Sequence, residues 1–238
     1  MKGLGTFINV LAVLAGGGIG LFLKGGMKRR YQDIMMQALG LATMFVGIVG
    51  ALQGMLTVEG AGLGSRGTLL MVLSLSIGGV AGEFLNIELM LERFGEWLKK
   101  KVHAEHNGRF VEGFVTTSLV ICVGAMAVVG SLEDGLTGNP GTLIIKSALD
   151  FAIVIVFAST LGAGSLFSAI PIAVWEGTLT AAAVLVSPFL SDVLIADLSA
   201  VGSVLIFGVG VNLLFDKGIK VGNLLPALLG PVVFHMIF

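Results

Sequence analysis

Charge is what this sequence has least of. Only 12% of its 238 residues are Asp, Glu, Lys or Arg, where a soluble domain carries ~25%. A soluble fold is therefore excluded on composition. The formal net charge of −1 gives no reason to expect nucleic acid as a partner. Cysteine is nearly absent too. Cys122 stands alone, which rules out a disulfide within the chain and a thiolate metal cluster. Set among Ile121 and Val123, it reads as a small apolar core residue. The sequence shows no nucleophile–base signature, no phosphate loop and no zinc spacing. We expect no enzyme, no cofactor and no metal. Gly16-Gly-Gly-Ile-Gly20 is no dinucleotide fingerprint, because no strand precedes it and no βαβ unit surrounds it. His103 and His106 stand three apart, but in a charged segment without further ligands.

What is present is apolar. Hydrophobic residues make up 55% of the chain, and the mean hydropathy is +1.00. A helix crossing ~30 Å of hydrocarbon needs ~20 residues. By that measure the sequence predicts eight membrane helices: 4–23, 34–56, 67–87, 113–132, 143–162, 168–188, 196–215 and 221–238. The expected fold is an all-α, glycine-rich membrane protein with one polytopic domain over 1–238. The first run is long for a signal peptide, and its positive charges follow it, so it reads as a retained helix.

Eleven of the fourteen Lys and Arg residues fall in three gaps, 24–30, 93–109 and 217–220. Cytoplasmic loops collect such residues. The three gaps follow spans one, three and seven, so they share one side, and an even span count puts both termini outside. The opposite gaps carry Glu59, Glu133, Asp134, Asp192 and Asp197. The gap after span five, 162–168, should be basic and holds no charge. It reads either as a tight turn or as a break within the membrane, and a break needs protein or water to satisfy its backbone. The stretch 88–112 is the one extramembrane element of size. Ile87, Leu91, Phe94, Leu98 and Val102 recur at helical spacing, with Trp97 at interfacial depth and Lys99–Lys101 at the end. It is expected to be an amphipathic helix that continues span three along the cytoplasmic surface.

Thirty-six glycines lie mostly inside the spans. In lipid, small residues let helix backbones approach closely. They would also serve a homo-oligomer, or unwound segments along a path. A sequence echo, Val49–Thr57 with Val129–Thr137, hints at internal repeats. A weaker one relates Phe207–Val211 to Phe45–Val49.

Ionisable residues within spans are expensive and mark functional candidates. Asp150 in span five and Glu176 in span six both fall near the mid-plane. Lys146, one turn before Asp150, is the obvious partner. Together the carboxylates are candidate proton or monovalent-cation ligands; alternatively Asp150–Lys146 is a structural pair and Glu176 an interhelical hydrogen-bond donor. Asn9 and Asn212 are further candidates, since amides in lipid must find partners. Span eight carries Pro226 and Pro231 with Gly222 and Gly230. Proline frees a carbonyl one turn back, and such carbonyls near the mid-plane bind cations in discontinuous helices. A simple kink is the plainer alternative. Gln53, Glu83, Glu88, Glu92 and His235 lie near span ends and read as solvated or interfacial.

Gly5-Thr-Phe-Ile-Asn9, Gly16–Gly20, Gly78-Gly-Val-Ala-Gly-Glu83 with Ile87-Glu88, and Asn212 followed by Asn223-Leu-Leu-Pro226 resemble the bacterial membrane proteins of the domain of unknown function 554 family, the YdfK/YqgA type. The resemblance runs along essentially the whole chain. It implies a polytopic inner-membrane protein, usually regarded as a transporter. It also implies that Gln is common where this chain has Glu176, so the family does not demand a carboxylate there. The expected function is a small secondary transporter or channel for a small solute or ion, its path lined by Asp150, Glu176, Asn9, Asn212 and the region of Pro226. The alternative, from another class, is a non-transporting scaffold or accessory subunit that presents the 91–110 helix to a cytoplasmic partner.

Overall fold

Long apolar runs with few polar breaks can satisfy their backbone only within themselves, so the chain folds almost entirely as helix. The computed structural model describes residues 2–24, 28–59, 62–104, 108–122, 125–186, 191–215 and 217–237. In chain order the elements are α1 (Leu4–Lys24), α2 (Arg29–Met55), a hairpin of β1 (Leu56–Glu59) and β2 (Gly62–Ser65), α3 (Thr68–Leu85), α4 (Ile87–Lys101), α5 (Phe110–Cys122), α6 (Ala125–Thr137), α7 (Gly141–Thr160), α8 (Ala169–Val186), α9 (Asp192–Phe215) and α10 (Leu229–Ile237). Short 3₁₀ helices, Ala163–Ser168 and Val221–Leu228, lead into α8 and α10.

Six helical segments are long and apolar enough to cross a membrane, and α5 with α6 makes a seventh if that bent pair is one span. The two helices differ in direction by 62°, so the fourth predicted run is broken rather than straight. The eighth run is a shorter apolar helix, Val221–Ile237. The hairpin was not foreseen. It is antiparallel, with Leu56 opposite Ser65 and Thr57 opposite Gly64.

The chain divides into two compact units. The first comprises 1–38, 91–122 and 126–189. Here α1 lies along α7. A Cβ at Gly5 would come 2.7 Å from Leu143 Cβ, and one at Gly20 would come 2.7 Å from Ala158 Cβ. Both positions therefore bring backbone against side chain, and the rising register makes α1 and α7 parallel. An apolar cluster of Val13, Ile121, Val154, Ala169 and Ile172 sits among α1, α5, α7 and the start of α8. A second cluster joins Leu98 of α4 to Phe110 and Phe114 of α5. This agrees with the expected amphipathic stripe, and Trp97 is left exposed beside Phe94. α4 does not simply continue α3: Asn86, in the left-handed region at φ 52°, ends α3 and turns the chain.

The uncharged gap at 162–168 lies in this unit. α7 ends at Thr160, and Gly162 takes φ 99°. The 3₁₀ helix then leads into α8. Leu161, Ser165 and Ser168 are fully buried, and Phe110 packs on Phe167. A Lys or Arg in this turn would be buried without a partner, which accounts for the missing charge.

The second unit comprises 39–90, 123–125 and 190–238. α2 runs antiparallel to α9, Gly40 meeting Leu214 and Gly54 meeting Ala200. α3 runs antiparallel to the last helical segment, with Ser74 at Gly230 and Gly78 at Ala227.

Candidate functional site

Lys146 and Asp150 stand four apart on α7, so their side chains share one helix face. That face meets α1 at Asn9 and α8 at Glu176. The Lys146 ammonium forms an ion pair with Asp150 and lies 3.5 Å from Glu176 Oε1. It also donates to the Ile121 carbonyl at 2.8 Å. Ile121 is in the last turn of α5, where carbonyls lack an intrahelical donor, so Lys146 caps the helix at the break. Asn9 Nδ2 donates to Asp150 Oδ2 at 3.0 Å and to Glu176 Oε1 at 2.8 Å. Asn9 and Glu176 have no solvent exposure, Asp150 has 4% and Lys146 6%. Two carboxylates thus share one ammonium in a buried place. Fully ionised, the group carries net −1. Glu176 Oε2 and Asn9 Oδ1 have no hydrogen-bond partner.

Asn9, Asp150 and Glu176, picked out separately in the sequence, therefore meet. Asn212 and Pro226 belong to the second unit. Asn212 holds the 217–220 segment: Nδ2 donates to the Ile219 carbonyl at 2.7 Å, and the Ile219 N–H donates to Oδ1 at 2.8 Å. Pro226 lies within the 3₁₀ helix Val221–Leu228, not in a straight α-helix with a kink.

Two carboxylates that the sequence places in outer gaps are buried. Asp134 was assigned to an outer gap, but α6 extends to Thr137 and buries it fully. Its Oδ2 accepts from the Gly5 N–H at 2.8 Å. Asp197 is 8% exposed. It faces His235 at 2.9 Å and Arg66 at 3.8 Å. Glu83 and Glu88 clamp the start of the last segment. Glu83 takes Lys220 at 2.5 Å and Asn223 at 2.6 Å; Glu88 Oε2 accepts from Gly222 N–H, and its own N–H donates to Asn223 Oδ1. Thr6 and Thr180 were overlooked, and their hydroxyls stand 3.3 Å apart. A signal existed: Thr6 is three before Asn9 and Thr180 four after Glu176, so each shares a face with a residue already singled out.

A multi-pass helical membrane protein with buried ionisable residues is the class these features define. The chain belongs to the family described as Protein of unknown function (DUF554), whose pattern matches residues 4–236. It is 34% identical over 229 residues to the uncharacterized membrane protein YdfK of Bacillus subtilis (strain 168), covering 96% of this chain and 94% of that one. It is 32% identical over 234 residues to the uncharacterized protein YqgA of Escherichia coli (strain K12), covering 95% and 93%. No solved structure matches it. The protein is thus a multi-pass protein of a bacterial membrane.

Proposed function

We propose that the protein is a small secondary transporter or channel for a small solute or ion, with the Asn9–Lys146–Asp150–Glu176 group on its polar path. The observation that carries this reading is the charge count: two buried carboxylates, one ammonium and two oxygens without a donor. Ionisable groups within a membrane-spanning bundle are retained at considerable expense and commonly mark ion or proton routes. A group with net −1 has room for one proton or one monovalent cation. The Lys and Arg bias supports an inner-membrane protein with eight passes, the basic gaps in the cytoplasm and both termini outside. Asn212 and the Pro226 segment keep a place as separate candidates within the second unit. Oligomerisation through glycine faces is compatible with the size.

The alternative, a scaffold without transport, draws on α4, where Met90, Phe94 and Trp97 are exposed beside Lys99–Lys101. The deciding experiment reconstitutes the chain in liposomes. A pH dye reads proton flux, and Na⁺ and K⁺ gradients are imposed in turn. The transporter reading expects flux in the wild type that Glu176→Gln abolishes. Equal flux from both removes Glu176 from the path, and no flux under any gradient favours the scaffold.

A further inference from the structure

The two layers flanking the buried group differ in chemistry. One turn toward the C-terminus of α1, Asn9 gives way to Val13. The same step takes Asp150 to Val154 on α7, and takes Glu176 back to Ile172 on α8. Val13, Val154 and Ile172 have no solvent exposure and pack with Ile121 in one cluster. This side is dry.

One turn the other way, every step is polar. Asn9 leads to Thr6, Asp150 to Lys146 and Ser147, and Glu176 to Thr180. The Thr6 and Thr180 hydroxyls face each other at 3.3 Å. Next come Gly5 and Asp134, joined at 2.8 Å. Asp134 Oδ1 and the Ser131 hydroxyl on α6 are buried without partners. In this unit, four of the five described buried side-chain oxygens that lack a partner lie at the group or on its polar side. Thr117 on α5 is the fifth.

We propose that Glu176 is a proton-binding site reached from the α1 N-terminal side past Thr6 and Thr180, with the Val13–Ile121–Val154–Ile172 layer closing the other side. Lys146 bonds to Asp150 and stands farther from Glu176, so Glu176 holds the uncompensated charge. The ionisable groups facing Glu176 are Lys146 and Asp150 of α7 and Cys122 at the end of α5. α1 contributes only the neutral Asn9. The step is simple: a proton adds to a Glu176 lone pair, no other bond changes, and the group becomes neutral. A metal ion fits less well. Ca²⁺ and Mg²⁺ take six or more oxygens, and among the described residues of the group only Glu176 Oε2 and Asn9 Oδ1 lack a donor. The inference deepens the transport reading by naming the ion, but binding does not itself require transport.

Two measurements on the full chain test it. Infrared difference titration of the purified protein should show a protonated carboxyl band that disappears on alkalinisation, is absent in Glu176→Gln and persists in Asp150→Asn. No such band, a band lost in Asp150→Asn instead, or a band abolished by Na⁺ at constant pH overturns the proposal. For sidedness, single cysteines are placed in a Cys122→Ala background. A membrane-impermeant trimethylammonium methanethiosulfonate is then applied to intact cells and to inverted vesicles. Thr6→Cys and Thr180→Cys should react from one face, and Val13→Cys and Ile172→Cys at least ~10-fold more slowly from either face, as a raised thiol pKa in apolar surroundings dictates. Equal rates in all four, or faster reaction at Val13→Cys and Ile172→Cys, refute the route. If the band and labelling hold while liposomes move nothing, the transport reading fails and the proton site stands.

Discussion

Lys146→Met is the most exacting perturbation of the buried group. Methionine keeps the length and the apolar stem of lysine and removes the ammonium. Three acceptors then lose the ammonium at once, Asp150, Glu176 Oε1 and the Ile121 carbonyl, although Asn9 Nδ2 still donates to the two carboxylates. Breaking a buried ion pair by deleting one partner costs about 3–5 kcal/mol, and an orphaned buried carbonyl adds ~1–3 kcal/mol. Proton uptake by a carboxylate recovers part of this, leaving a loss of ~4 kcal/mol. In a chain of this length each kcal/mol moves the melting temperature by ~2–4 °C, so a fall of ~10 °C is expected. The assay is thermal stability in detergent micelles, read by fluorescence-detected size exclusion. Lys146→Met with Asp150→Asn should recover about half the loss, because the second change removes the charge left bare; the coupling should exceed ~1 kcal/mol. A single variant melting within ~2 °C of wild type, or a double variant that is simply additive, refutes the view that Lys146 holds this group together.

Two glycines two positions apart on α1 should respond oppositely. A Cβ at Gly16 would lie 2.7 Å from the Phe151 carbonyl, whereas nothing lies within 4 Å of one at Gly18; Gly16→Ala should lower the melting temperature measurably and Gly18→Ala should leave it unchanged or raise it by ~0.5–1 kcal/mol equivalent. Equal melting of the two would count against close α1–α7 packing. On the last segment, the Glu83 carboxylate bonded to Lys220 holds that ammonium above the ordinary lysine range. Its stabilisation is present below the unfolded lysine pKa and is lost as pH rises through the raised folded value. Glu83→Gln should therefore flatten the alkaline fall in melting temperature, and an unchanged alkaline curve would sink that reading.

Much of the helix layout was readable because one physical rule governs it. A run of ~20 apolar residues has few fates other than a helix in lipid, and α1, α2, α3, α7 and α9 fall close to where their runs predict. Breaks were harder to see. Composition stays apolar where α5 meets α6, so it did not mark their 62° bend, and the β1–β2 pair sits in a gap that periodicity left blank. The candidate residues were found singly, since a carboxylate in an apolar run stands out wherever its partners are. Asp134 and Asp197, which the sequence places in outer gaps, are buried, because span ends drift by a turn and one turn decides between water and burial.

The sequence alone determined class: too little charge for a soluble fold, enough apolar length for a multi-pass protein, and basic residues gathered into a few gaps. It also supplied the one pairing that spacing can encode, Lys146 with Asp150 on a single helix face. Only the tertiary structure decided that Asn9 and Glu176 complete that pair. Those contacts join residues 141 and 167 positions apart, and no helical period reaches so far. It also decided that the uncharged segment at 162–168 packs against α5, and that one side of the buried group is apolar while the other is polar. Layers of that kind arise from how α1, α7 and α8 stack, and each helix by itself carries only a third of them.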